Sequence, residues 1–355
     1  MSEIRWLTDP KRSLVPFALA GVLIWLSLRS NLAQVFFLGL GIPLFPVLLL
    51  LAAALGGWVP AMLLSALFIS VSVRVYGPNG AWFAVYLLPA LIAFLVCLEI
   101  KLTFYKTAAA VFGALVVSVV FLFLVFQARS GGDLYGSLAQ ASIQGLDRMP
   151  GRDSLLYSLL QAGFISPGTE DSARIFIDIP GGQTFAPEVI SEFYKQLRFR
   201  IGALASSFVP GLLTTYAIYL STLGVGFALQ RGIKYKASPH LGMPPFSLWH
   251  FPRAVGKQLW ILAAGYLLAL LAKQPTLQLT GQMMYNVFFS LYVIQGLAWT
   301  SFRLRERGRM SPGLRLILLA LLFFIAQPIM MFIGILDQVT DGRKLRATER
   351  ANTDI

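Results

Sequence analysis

Few polar residues of this 355-residue chain stand where chemistry needs them. Asn286, Ser290 and Gln295 lie inside one apolar run, 280 to 302, and Gln327 precedes Pro328 inside another, 313 to 336. Asn286 and Ser290, four residues apart, share a helix face, whereas Gln295 is nine residues beyond Asn286 and so about 180° round the helix. Such groups either bond neighbouring helices or line a cavity that holds a small solute. Asn286, Gln295 and Gln327 are therefore the candidate solute-binding residues. Gln327 is also placed to donate to the carbonyls that Pro328 frees. A second polar belt, Thr214, Thr215, Tyr216, Tyr219, Ser221 and Thr222, occupies the run 201 to 230.

Catalytic signatures are lacking. The chain has no GxxxxGK[ST] phosphate loop, no GxSxG elbow and no HExxH pair. His240 and His250 are ten residues apart with no cysteine or carboxylate beside them, a poor pattern for a metal. The single cysteine, Cys97, sits in an apolar run, which suits a small buried hydrophobe. No Asp or Glu lies near the middle of an apolar run, which disfavours a buried-carboxylate proton path. Neither a cofactor, a metal nor an enzymatic activity is expected.

The elements that must position these groups are membrane helices. Hydrophobic residues make up 57% of the chain and charged ones only 13%, too apolar a balance for one soluble core. Nine runs approach the length of about 20 residues that a span needs: 13 to 28, 34 to 55, 58 to 73, 82 to 100, 106 to 127, 201 to 230, 257 to 273, 280 to 302 and 313 to 336. The fold class expected is an all-α polytopic bundle of about 8 to 9 spans. Gly56-Gly57 leaves almost no loop between the second and third runs, so a tight hairpin or re-entrant pair is expected there.

The formal charge of +13 does not indicate nucleic acid, because the cations flank apolar runs instead of clustering on a soluble face. Arg5, Lys11 and Arg12 precede the first run; Lys101 and Lys106, five cations in 231 to 257 and four in 303 to 309 mark one side. Arg29, Arg74 and Lys273 are single cations on the other. The excess places the N-terminus in the cytoplasm, and nine crossings would leave the C-terminus outside.

Four regions follow: N-terminal spans over 1–127, a polar insertion over 128–200, C-terminal spans over 201–336 and a polar tail over 337–355. The insertion carries seven cations and eight acids, with Gly and Pro turn signals. Asp153 is read as a cap for a helix over Ser154 to Gln161, and Ile175, Ile177 and Ile179 alternate as in a strand. Ile190, Phe193, Tyr194, Leu197 and Ile201 recur at helical spacing, so an amphipathic helix lying on the membrane is expected to lead into the sixth span.

One connection stands apart, Pro244 to Arg253, PPFSLWHFPR. Its prolines stop helices, and Phe246, Trp249 and Phe251 suit the headgroup boundary, so it reads as a membrane elbow in preference to a ligand clamp.

Several short patterns recur in order from residue 200 onward: Phe208-Val209-Pro210-Gly211-Leu212-Leu213, then Phe246, Trp249 and Pro252, then Gln295-Gly296-Leu297-Ala298 before an arginine-rich turn, and finally Gly334-Ile335-Leu336-Asp337 with Arg343-Lys344. In these the chain resembles the YybS-like family of bacterial multi-spanning membrane proteins. That family is in turn similar to the substrate-binding S subunits of energy-coupling-factor transporters. The resemblance implies a helical bundle in a bacterial inner membrane that holds a small molecule and has a transport-related role. The expected partners are the lipid bilayer, a small-molecule ligand and another membrane protein. A non-transporting scaffold or assembly factor acting through 128–200 is the competing expectation.

Overall fold

A computed structural model describes residues 10–29, 42–147, 149, 151–167, 175–179, 182–234, 243–251, 253–272, 274–306, 308, 310–343 and 345. His240, Pro252 and Lys344, which the sequence singles out, lie outside the described residues. The described residues are almost entirely helical, and the chain divides into two compact units, Met1–Leu122 with Leu213–Ile355, and Phe123–Leu212.

Among the described residues each of the nine apolar runs contains a helix, and 313 to 336 contains two. The elements in chain order are α1 (Pro10–Arg29), α2 (Ile42–Gly56), α3 (Trp58–Tyr76), a 3-10 turn (Gly77–Ala81), α4 (Trp82–Glu99), α5 (Phe104–Arg129), α6 (Leu134–Asp147), α7 (Arg152–Gln161), β1 (Phe176–Ile179), β2 (Gly182–Phe185) and α8 (Pro187–Tyr219). A π-helical turn (Leu220–Gly224) leads into α9 (Val225–Lys234). A 3-10 turn (Phe246–Leu248), α10 (Arg253–Leu271), α11 (Pro275–Glu306), α12 (Pro312–Ile325) and α13 (Gln327–Thr340) complete the chain.

Five stretches are long and apolar enough to cross a membrane: Trp58–Val75, Gly77–Glu99, Phe104–Arg129, Pro187–Lys234 and Thr280–Glu306. Leu14–Leu26, Leu44–Gly56 and Val255–Leu271 are shorter apolar helices, and α12 with α13 forms a pair bent by 105°. Large apolar side chains such as Val117, Leu268, Phe324 and Phe332 remain exposed on these helices, as a lipid-facing surface requires. The protein is a multi-pass membrane protein.

Two joints follow local chemistry. Gly57 alone separates α2 from α3, and its φ of 87° is a conformation that favours glycine. The break between α12 and α13 falls at Ala326, directly before Gln327 and Pro328. Proline near the start of α13 lacks an N–H that would have no intrahelical partner there. The backbone closes the break itself, since Ala326 N–H donates to Leu322 O at 2.9 Å and Met330 N–H donates to Ala326 O at 3.0 Å.

Within the first unit, α2 to α5, the π turn and α9 share one apolar core through Phe45, Leu64, Phe68, Phe94, Leu115, Val225 and Leu229. α10, α11 and α13 share a second, with Leu259, Phe288, Tyr292, Leu297, Met330 and Met331. Helices α11 and α13 meet backbone to backbone. A Cβ added to Gly296 would lie 1.8 Å from Met330 O, and one added to Gly334 would lie 2.1 Å from Tyr292 O. Small residues permit such an approach, which packing between membrane helices uses in place of a hydrophobic driving force.

The second unit is more ordered than a polar insertion suggests. α6, α7, the antiparallel β1–β2 hairpin and the start of α8 enclose Ile143, Leu156, Phe185, Val189, Phe193 and Leu197. The apolar face of α8 is thus covered by its own unit, which corrects the expectation that it lies on lipid. Asp153 does not cap α7 either: the cap position is Gly151, which has no side chain to bond the first turn. Asp153 instead accepts hydrogen bonds from Thr184 on β2 and from Arg152 Nε at 2.8 Å, and these hold its carboxyl below the usual carboxylate range.

The α11–α13 contact predicts a contrast between two glycines. Gly334→Ala should cost about 3 kcal/mol through overpacking. Gly113→Ala, where an added Cβ meets nothing within 4 Å, should be neutral or slightly stabilising, and thermal unfolding in detergent would measure both.

Candidate functional site

The prolines of Pro244 and Pro245 and the short Phe246–Leu248 turn keep residues 243–251 out of any long helix, and Trp249 continues in an extended conformation. This connection lies beside the first residues of α5, Phe104 and Tyr105, and the last turn of α13 at Gln338. It packs against α11 at Leu291, Ile294 and Gln295, eleven residues or about 16 Å before the charged end of α11 at Glu306. Irregular backbone alongside apolar helices needs internal partners for its carbonyls.

Those partners come from α13 and the residues just after it. Arg343 Nη1 donates to Ser247 O at 2.7 Å, and Arg343 Nη2 donates to Trp249 O at 2.7 Å. Gln338 Nε2 donates to Phe251 O at 3.3 Å. Ser247 in the 3-10 turn and Trp249 and Phe251 beyond it thus each present a carbonyl to these side chains.

Arg343 is held in turn by Asp337. Its Nη2 and Nε donate to Asp337 Oδ2 at 2.7 Å and Oδ1 at 3.2 Å, a forked pair whose side chains are 1% and 4% exposed. Arginine is suited to this place because one planar fork serves the carboxylate and both carbonyls. The chain reverses at Asp341, whose φ of 49° is left-handed, and this turn brings Arg343 back onto Asp337. Gln295 Nε2 completes the cluster, donating to Asp337 Oδ2 at 3.0 Å and Gln338 Oε1 at 2.9 Å. Because both of those neighbours are acceptors, the Gln295 amide is oriented with its oxygen away from them.

Gln295 Oε1 is buried and has no hydrogen-bond partner among the described residues. Gln295 lines a cavity of about 60 Å³ with Phe104, Tyr105, Thr222, Trp249, His250 and Phe251 among its neighbours. Trp249 forms a wall by packing on Phe104 at 4.5 Å between ring centroids and edge-on against Phe246 at 5.1 Å. Its ring lies over Gly226, where an added Cβ would come within 2.2 Å of it, and its indole N–H donates to Pro244 O at 3.1 Å. Trp249 is therefore packed within the protein, 7% exposed. Thr222 belongs to the π turn, and its hydroxyl and that of Ser221 both donate to Ile218 O. His250 Nδ1 lies 3.2 Å from Leu248 O.

The three candidate solute-binding residues do not converge. Gln295 lines the cavity, but half-buried Asn286 lies elsewhere on α11 and Gln327 starts α13 at the break; neither is among the residues described around the cavity. The signature residues do come together: Phe246 and Trp249 from the connection, Gly334 and Asp337 from α13, and Arg343 beyond it. Asp337 and Arg343 belong to the bundle, so a polar tail beginning at 337 is not what forms, and α13 continues to Thr340. Thr222 comes from the polar belt noted in 201 to 230, whereas Phe104 and Tyr105 were not read from sequence as cavity residues; they precede the apolar run 106 to 127, and nothing in their type marks which face will border a void.

If Trp249 fills the space between Gly226 and Phe104 as described, Trp249→Ala should lower unfolding stability by about 3–5 kcal/mol, measured by denaturation in detergent. A change below about 1 kcal/mol would mean that the ring sits at a surface.

No curated protein and no solved structure matches the chain. Residues 163–338, which include the connection, Gln295 and Asp337, match the family model described as Predicted membrane protein (DUF2232). Over that stretch the chain is similar to a family of membrane proteins whose function is unknown.

Proposed function

We propose that this protein binds a small solute in the cavity beside Gln295 and has a transport-related role in a bacterial inner membrane, with its N-terminus cytoplasmic. The observation that carries the reading is the unpartnered Oε1 of Gln295, a residue that lines an aromatic-walled cavity. A buried acceptor left without a donor is costly and invites a ligand that supplies one. Arg343 and Asp337 neutralise each other, so the chemistry favours an uncharged solute with apolar faces and an N–H or O–H donor. The resemblance of the second half of the chain to YybS-like proteins, and through them to transporter S subunits, supports the same reading.

Binding is favoured over catalysis because the polar cavity groups are engaged structurally, Thr222 with Ile218 O and His250 with Leu248 O. A second reading, a scaffold that engages another membrane protein through 123–212, draws support from the separate core of that unit.

Mass spectrometry of small molecules retained by the purified protein separates the two. One equivalent of solute should be retained, lost on Ala108→Leu, which fills the cavity, and kept on Asn286→Leu. A protein that arrives empty in complex with another membrane protein would favour the scaffold.

A further inference from the structure

We propose that residues 243–251 are a gate over the cavity and that Arg343 is the latch that holds the gate closed. The inference rests on reading the cavity as the solute site, and it concerns how that site is reached. Trp249, His250 and Phe251 supply three of the lining residues, so the connection itself forms part of the cavity wall. Apart from one 3-10 turn it has no regular backbone structure.

The attachments of the connection are concentrated in one place. Arg343 takes the carbonyls of Ser247 and Trp249, and Gln338 takes that of Phe251. Both donors lie at or beyond the end of α13, and Arg343 follows the left-handed turn at Asp341. A rotation at that turn would withdraw the guanidinium and release two carbonyls together, while the Gly296–Gly334 contact kept α13 on α11.

Size gives the gate a purpose. The cavity of about 60 Å³ is less than half of the roughly 150 Å³ that accepts benzene in a protein interior. To enclose a solute larger than a few heavy atoms, the wall therefore has to move. The connection is the only wall segment among the described residues that is not part of a long helix. Moving it would expose Gln295 Oε1 without disturbing the bonds from Gln295 to Asp337 and Gln338.

The test uses the full-length protein in membranes with the single native cysteine removed, Cys97→Ser, and a reporter thiol in the cavity, Ala108→Cys. The probe is 2-aminoethyl methanethiosulfonate, and Met149→Cys, at an exposed position, serves as the reference. Arg343→Lys keeps a cation for Asp337 but lacks the planar fork that serves both carbonyls. It should raise the labelling rate at Ala108→Cys at least tenfold with the reference rate unchanged. Gln338→Met, which removes one bond to the connection, should raise the rate by a smaller factor and carries the test if Arg343→Lys fails to fold. Unchanged rates in the folded variants, or an equal rise at the reference, would overturn the gate. Labelling that rises in a protein retaining no solute would leave the gate standing and remove the solute reading; retained solute with unchanged labelling would do the reverse.

Discussion

The buried ion pair between Arg343 and Asp337 is the interaction on which the rest of the site depends. Two charges with side chains 1% and 4% exposed persist only if each is paired and its remaining hydrogen-bonding capacity is used. Asp337 accepts from Arg343 and Gln295, and Arg343 gives two further donors to Ser247 and Trp249. The pair therefore fixes more than itself. It satisfies irregular backbone inside an apolar bundle, places Trp249 as a wall of the cavity and orients the Gln295 amide with its oxygen away from Asp337 and Gln338.

Glycine makes the arrangement possible. Gly296 and Gly334 bring α11 and α13 close enough for Gln295 to reach Asp337 and Gln338, and Gly226 leaves room for the indole of Trp249. Gly256 does the same for Gln338, whose Nε2 would lie 2.1 Å from an added Cβ. These close approaches come from four different helices. Steric fit and the polar cluster are thus two sides of one constraint: the helices must be near for the bonds to form, and the bonds give the connection a reason to stay between them.

Much of the fold was legible in the sequence, because hydrophobic run length reports membrane helices directly. Among the described residues each of the nine runs contains a helix, the one-residue joint at Gly57 formed, and the chain broke before Gln327-Pro328, with five stretches, or six counting the bent pair, long and apolar enough to span. Trp249, Asp337 and Arg343 stood out as patterns, but their roles did not. Pairing between positions 94 and 96 residues apart in the chain is set by helix packing, and a single sequence carries no signal for it. Two readings misled in a consistent way: charge near Asp337 read as a tail, and the apolar face that leads into the sixth span read as lying on lipid. In each case tertiary contacts supplied the partners that allowed these residues to be enclosed. Asn286 and Gln327 illustrate the converse, since a polar type inside an apolar run does not by itself say which face meets a void.

The central claim is that Asp337 and Arg343 act as one unit, and a double-mutant cycle measures that directly. Unfolding stability in detergent would be compared for Asp337→Leu, Arg343→Met and the double variant. Each single change leaves a buried charge alone and should cost about 3–5 kcal/mol. The double variant should be less destabilised than the sum of the two, with a coupling of about 2 kcal/mol or more. Additivity within about 0.5 kcal/mol would contradict the account, because it would mean that the two residues are not buried against each other.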